Sequence, residues 1–278
     1  MEHIDETAAY WMPYPHDDLA LRVAVLHAQR RQQQADQNEA EIHVARRAFA
    51  AAFVRGSGIE VGAGSRPFPI PAGVQCYYGD VRDAGQLTEY FGTDRVTVSG
   101  EIDAQTMANV PLASQDFIIS AHVIEHLWNP IGAIEAAVSR LKPGGHFLLV
   151  VPELTATWDR MRPSTTLEHM LADWKDGGEG TRLQAYIEHT RYVHPLLTGE
   201  TIPEHQIETT ARAVMDAGMD LHVHAWQTRG FRELLDHLAP RLGFEVVAEL
   251  TNVSENLFVL HRRMQFWRQL LRPRYAPN

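Results

Sequence analysis

The chain has one cysteine, Cys76, in 278 residues. A lone thiol excludes an intrachain disulfide and any zinc site built on several cysteines. No apolar run approaches the ~20 residues that a membrane-spanning helix requires. Basic residues are in deficit: Lys+Arg number 25 against 35 Asp+Glu, a net charge of −10. That balance works against a nonspecific nucleic-acid binder, which needs a cationic face to displace phosphate counterions. The stretch Met1–Ala20 carries Glu2, Asp5, Glu6, Asp17 and Asp18 but no lysine or arginine. No signal peptide is therefore expected there, and a cytoplasmic protein is the default. Internal repeats are absent as well. What the chain has in excess is histidine, with 15 residues, the side chain that titrates nearest neutral pH. Hydrophobic residues at 45% and charged residues at 22% give a globular composition able to bury a large core.

Residues 1–55 read as a helical N-terminal segment. Leu19, Val23 and Leu26 share one face, and Val44, Ala48, Phe49, Ala52 and Phe53 form a second stripe at helical spacing. The polar run 29–38 separates them as exposed helix or loop, and the breaker-rich run Trp11-Met-Pro-Tyr-Pro15 reads as a surface strap. From Gly58 the rhythm changes. Ile59–Val61, Val74–Tyr78, Val96–Val98, Phe117–Ser120 and Phe147–Val151 read as buried strands. Ile131–Leu141 is an amphipathic helix that stops at Lys142-Pro-Gly-Gly145. Such alternation over residues 56–152 predicts an α/β core, with right-handed crossovers and a parallel sheet covered on both faces. Residues 153–225 are polar and too long for an ordinary connection, which suits a lid or substrate element. Residues 226–263 return to the core, with a helix over Gly230–Leu242 and a hairpin of Phe244–Leu250 and Asn256–His261. The basic tail, residues 264–278, reads as a docked terminal helix or a partner surface: Phe266, Trp267, Leu270 and Leu271 lie among its arginines.

The sharpest local signal is Gly58-Ile-Glu-Val-Gly-Ala-Gly64. A buried strand ends in a Gly-x-Gly turn, with Glu60 two residues before the first turn glycine. Glycines there let the backbone turn tightly and approach a ligand. Asp80 closes the next strand, where an acid in a doubly wound fold accepts hydrogen bonds from ribose hydroxyls. Asp103 follows the third strand and can meet an adenine amino group. A dinucleotide site would want a third glycine, with the pyrophosphate on a helix start. Pro67, Pro69 and Pro71 stand there instead and forbid a regular helix directly after the turn. That favours a nucleoside cofactor without a pyrophosphate, and leaves a nicotinamide-dependent oxidoreductase as the first alternative.

These segments, together with Asp116-Phe-Ile-Ile-Ser-Ala-His-Val-Ile-Glu-His-Leu127 and Leu141-Lys-Pro-Gly-Gly-His-Phe-Leu-Leu-Val-Val-Pro152, resemble class I S-adenosylmethionine (SAM)-dependent methyltransferases over residues 56–152. The resemblance implies a Rossmann-like, doubly wound seven-stranded sheet whose last strand is antiparallel. It also implies SAM as the cofactor. By resemblance Glu60, Gly62 and Gly64 line its methionine portion, Asp80 takes the ribose, Asp103 lies near the adenine, and Ser120, Ala121 and His122 lie beside the methyl group. The departure from the family is Ser65-Arg-Pro-Phe-Pro in place of a glycine-rich helix start. The run Arg66-Pro-Phe-Pro-Ile-Pro, with Asp159, Arg162, Thr165, Thr166 and His169 downstream, looks like a bacterial subgroup among cell-surface-glycan and secondary-metabolite proteins.

Methyl transfer to a hydroxyl needs an aligned nucleophile and a group to take its proton, and histidine suits the second task at neutral pH. His122 is the candidate base nearest the cofactor, with an orienting role as its other reading. His122, Glu125 and His126 have the i, i+3, i+4 spacing that shares one helix face and can hold a divalent metal. The same Glu-His-Leu run packs the helix in metal-free relatives, and no metal is expected. Within the insertion, Asp159, His222 and His224 are the further catalytic candidates. The alternation His222-Val-His224 would put both imidazoles on one side of an extended segment, able to touch substrate or complete a metal site. Trp226 offers a face on which a sugar could stack. The expected acceptor is a polar small molecule, a sugar or glycosylated metabolite by first choice, methylated on oxygen before nitrogen. A noncatalytic SAM-binding or assembly protein is the second alternative, and a homo-oligomer stays open.

Overall fold

A computed structural model describes residues 16–264, with side chains from residue 24. The sequence readings at 11–15, at Leu19 and Val23 and across the tail from 265 lie outside those residues or side chains. The chain forms two compact units, one through Val44 and one from Ala45 on. Helix α1 (His16–Phe53) runs through both. In the first unit it is polar and carries i, i+4 side-chain bonds such as Gln32 Nε2 to Asp36 Oδ1 at 2.7 Å. The polar run 29–38 is thus helix.

The second unit is built on a seven-stranded sheet of order β3-β2-β1-β4-β5-β7-β6. The strands are β1 (Ser57–Val61), β2 (Gln75–Asp80), β3 (Gly100–Glu101), β4 (Gln115–Ala121), β5 (Leu141–Pro152), β6 (Phe244–Asn252) and β7 (Glu255–Arg262). β7 alone runs antiparallel, between β5 and β6. This is the α/β sheet that the resemblance implies. The order reverses between β1 and β4, neighbours in parallel register, and ligands bind beyond the carboxyl ends of strands at such a point.

Alternation sends side chains to two cores. Ile59, Val61, Ile118, Leu149 and Phe258 face one side. Helix α3 (Pro130–Arg140) and helix α8 (Thr228–Leu242) cover that side. Helix α8 buries Phe231, Leu234, Leu235 and Leu238, the i, i+3, i+4, i+7 stripe of a helix on a sheet. Phe117, Ile119, Leu148 and Val259 face the other side, against Ala50 of α1, Val54 just past its end, and Phe68. The stripe on α1 is therefore Phe49, Ala50 and Phe53, continued by Val54 just past the helix, while Val44, Ala48 and Ala52 are exposed. Strand β3 is also displaced from its expected place. Val96–Val98 is not strand, and the Thr97 amide instead donates to the Gly64 carbonyl at 2.8 Å. Lys142-Pro-Gly-Gly145 lies inside β5 rather than in a turn.

No helix follows β1; the next one, α2 (Ala84–Phe91), comes after β2. The prolines act as expected. Glu60 fills the gap: its buried carboxylate accepts the Phe68 amide at 2.9 and 3.0 Å and so folds the proline loop onto the sheet. Burial pushes the Glu60 carboxyl up to about 7, against the Phe68 hydrogen bond and Arg46. A raised carboxyl pKa means that the unfolded chain loses its proton first. Stability then falls as pH climbs from the ordinary value near 4.5 to about 7 and stays reduced above it. Glu60→Gln is expected to raise the thermal midpoint at pH 8 by several degrees, a gain of up to roughly 3 kcal/mol, and to change it little at pH 4. Calorimetric melts across that range check the difference.

Candidate active site

At the carboxyl ends of β1 to β4 a cavity of about 270 Å³ is lined by Gly62, Asp80, Ile102, Asp103, His122 and Val123, with Tyr90 and Phe91 of α2 and with His126 and Asp220. Gly62 has φ 69°, where an added Cβ would run into Val123, so only glycine makes this turn without displacing the wall. Gly64, at φ 52°, lies under the Phe91 ring, 2.6 Å from where its Cβ would stand. Asp80 accepts the Arg82 amide at Oδ1 (2.9 Å); its Oδ2 has no partner among the described residues. Asp103 accepts the Gln105 amide and the Thr106 hydroxyl, each at 2.8 Å. Of the residues expected around the cofactor, Gly62, Asp80, Asp103 and His122 line this cavity. Glu60, Gly64, Ser120 and Ala121 do not. Glu60 is turned to the opposite face of the sheet, Ser120 is buried within β4, and Ala121 packs against the α1 side.

The end of β4 is bent sharply. His122 has φ 56°, a left-handed conformation costly for a residue with a side chain and common where a site dictates the backbone. Its Nε2 lies 3.0 Å from Glu255 Oε2 and its Nδ1 3.5 Å from Glu125 Oε1. Glu255 is in turn gripped by Arg46, whose Nε donates to Oε1 at 3.1 Å and Nη2 to Oε2 at 2.6 Å. Burial opposes charge on His122, but Glu125 and Glu255 outweigh it and raise its pKa to about 9. Held between two carboxylates, His122 sits as a clamp between β4 and the β6–β7 hairpin, which fits the orienting role that was its other reading. His122 also stands before the short 3₁₀ turn Ile124–His126, so His122, Glu125 and His126 do not share one helix face.

The insertion reaches this place through one loop. Its helices are α4 (Leu167–Asp176), α5 (Arg182–Glu188), α6 (His194–Thr198) and α7 (Glu204–Asp216). After α7, the amides of Val223 and His224 both donate to the Glu125 carbonyl, at 2.8 and 3.1 Å. Buried Arg162 fixes the same loop. One arm binds Asp159 Oδ1 (3.0 Å) and the His222 carbonyl (2.7 Å); the other binds Glu188 and the Val223 carbonyl, each at 3.1 Å. The loop bends at Val223, so the two imidazoles part. His222 Nδ1 meets Asp159 Oδ2 at 2.6 Å. His224 is buried, with Nε2 on Asp173 Oδ2 at 2.8 Å, and stacks on Trp226 at 5.4 Å. Trp226 is itself fully buried, its Nε1 on Met170 Sδ. His224 and Trp226 are thus core residues, and neither reaches a cavity as expected.

A second cavity, of about 560 Å³, opens between the end of β4 and the insertion; Arg82, His126, Trp128, Arg182, Tyr186 and Asp220 are among its walls. Arg82, His126 and Asp220 belong to both cavities. Asp220 binds all the others at that junction: His126 Nδ1 at 2.8 Å, Arg82 Nη2 at 3.0 Å and the Tyr90 hydroxyl at 3.1 Å. The His126 hydrogen bond, against burial, takes its carboxyl down to about 2. Sequence reasoning missed Asp220, Arg82, Tyr90, Trp128 and Arg182, since no short-range pattern marks them.

The profile of the family described as "Methyltransferase domain" matches residues 28–196, and the chain belongs to that family. It is a class I SAM-dependent methyltransferase with SAM as its cofactor. Among solved structures it is similar to the CurJ carbon methyltransferase (14% identity, TM-score 0.41), covering 75% of this chain and 49%, about half, of that one. It is also similar to a Thermotoga maritima SAM-dependent methyltransferase (14%, TM-score 0.43, 78% of this chain and 87% of the other). A third similar structure is an Aquifex aeolicus SAM-dependent methyltransferase (11%, TM-score 0.39, 76% and 84%). No curated protein matches the sequence. The first cavity fits the cofactor: a side-chain-free glycine turn, a carboxylate oxygen free at the end of β2, and an apolar slot beside Asp103.

Arg162→Ala would leave Asp159 and Glu188 without their buried cation. The expected cost is about 3–5 kcal/mol, read as a lowered urea midpoint, and the Asp159–His222 contact should loosen with it.

Proposed function

We propose that this methyltransferase moves the cofactor's methyl group to an oxygen, and less readily to a nitrogen, of a polar small molecule, with a sugar or glycosylated metabolite as first choice. The observation that carries this reading is the second cavity and its shared wall with the first. Trp128 and Tyr186 give it aromatic faces, and Arg82, Arg182, Asp216 and Asp220 give it charged donors and acceptors. Flat apolar surface beside fixed polar groups suits a polyhydroxylated ring. Trp128 takes the stacking role first read into Trp226, although Arg182 already lies 4.6 Å from the centre of one of its faces.

Bound SAM supplies an electrophilic methyl carbon. The protein's part is to hold both reactants in line and to activate the hydroxyl. Asp80 would accept the ribose hydroxyls, Asp103 the adenine amino group, and the Gly62 turn would seat the methionine part. Activation of the acceptor falls to His126, which lines both cavities and is backed by Asp220, with His222, backed by Asp159, 4.8 Å from it ring to ring. This keeps Asp159 and His222 among the catalytic candidates, and replaces His122 and His224 by His126.

Calorimetric titration with SAM should show one site. Asp80→Asn should weaken it by about 1–3 kcal/mol, roughly ten- to hundredfold, with the melting profile kept. Absence of SAM binding at millimolar ligand would overturn the cofactor assignment. Mass spectrometry across a panel of sugars and glycosides, each incubated with enzyme and SAM, should reveal a product heavier by one methylene. If only carbon or nitrogen acceptors gain that mass, the oxygen reading fails.

A further inference from the structure

Glu125, His126 and His222 each place one ligand atom within 4.8 Å of the others. Their surroundings distinguish them from an ordinary polar cluster. Glu125 is 0% exposed, and neither of its carboxylate oxygens accepts a hydrogen bond. A carboxylate so placed is costly unless a positive partner compensates it. His126 and His222 each spend Nδ1 on a carboxylate, Asp220 at 2.8 Å and Asp159 at 2.6 Å. With Nδ1–H donating, Nε2 is the ring nitrogen left to bind something else, the usual arrangement behind a metal-bound imidazole. The two carboxylates are themselves held, Asp159 by Arg162 and Asp220 by Arg82 and Tyr90.

A second cluster in the same chain is built differently. His169, Asp173 and His224 are equally close. There, however, His224 Nε2 and His169 Nε2 face Asp173 directly, at 2.8 and 3.2 Å, and Thr181 adds a hydrogen bond. That acid is satisfied by its own neighbours and asks for no ion. Glu125 has only His122 Nδ1, at 3.5 Å and outside hydrogen-bond geometry, while Nε2 of that ring is on Glu255.

We propose that Glu125, His126 and His222 form a binding site for a divalent first-row transition-metal ion. Two imidazoles and one carboxylate suit Mn²⁺, Fe²⁺, Co²⁺ or Zn²⁺ better than Mg²⁺, which prefers oxygen donors throughout. Metal–nitrogen bonds of about 2.1 Å ask each ligand atom to close in by less than an ångström, and binding releases any proton that Nε2 carries. Three protein ligands leave coordination positions for oxygens. His126 lines both cavities, so an acceptor hydroxyl can take one of those positions and be acidified there. That last use rests on the acceptor reading above, whereas the metal site does not.

The test uses the full chain stripped with a chelator and titrated near neutral pH with Mn²⁺, Co²⁺ and Zn²⁺ separately, with neither SAM nor acceptor present. Calorimetry should give one ion per chain for at least one metal, and Co²⁺ should show the visible absorption of nitrogen and oxygen ligation. His126→Ala and His222→Ala should each weaken binding more than tenfold, and Asp159→Asn, which weakens the backing of His222 and with it the pairing to Arg162, about 10–100-fold. His222→Gln, which can keep a hydrogen bond to Asp159 but offers no ring nitrogen, should behave as His222→Ala does. His169→Ala should leave binding as it was. The proposal is overturned if none of the three metals binds at millimolar concentration, if binding survives the His126 and His222 changes, or if His169→Ala abolishes it. Because no methyl donor is present, failure here leaves the methyltransferase assignment standing, and failure to bind SAM leaves this result standing.

Discussion

A carboxylate buried without a hydrogen-bond donor of its own, that of Glu125, is the constraint around which this molecule is arranged. Burial alone would drive such a group to take up a proton. The imidazoles of His122, His222 and His126 reverse that preference and hold its carboxyl below the ordinary range. Each of these rings is held in place by further charged side chains. Glu255 and Arg46 hold His122, Asp159 and Arg162 hold His222, and Asp220 with Arg82 holds His126. The backbone joins in, since the Glu125 carbonyl receives two amides of the insertion. The insertion meets this residue directly, and the hairpin and the N-terminal helix end are linked to it through His122.

What the sequence disclosed follows from the range of the forces involved. Strands β1, β4 and β5 and helix α3 are periodic runs bounded by turn residues, and their burial depends on local spacing. The glycine turn and the acids at positions 80 and 103 were legible for the same reason, because strand ends project from a sheet at fixed intervals. Failures came where a distant contact overrode a local pattern. Val96–Val98 looks like a strand by alternation, yet its central amide is spent on the Gly64 carbonyl and the pairing moves to Gly100–Glu101. His222 and His224 look like a matched pair, but Arg162 pins their loop in a bend. Asp220 carried no signal at all. It is one acid among many, and its worth comes from partners 94 to 138 residues away in sequence.

Replacing the helix after β1 by a proline loop has its own effect on the site. A helix start there would present free amides to the cofactor. In this chain the Phe68 amide is spent on Glu60, and the wall beside the turn is made by Phe91 and Val123. The wall beside the turn is thereby left to aromatic and aliphatic side chains, with Asp80 and Asp103 as carboxylates in the same cavity lining.

Asp220 stands in the walls of both cavities and also supplies the oxygen behind the His126 ring. Drawing that acid outward to widen either chamber would strip the imidazole of its backing in the same movement. Any change at position 220 is therefore felt at once by both cavity walls and by the His126 ring.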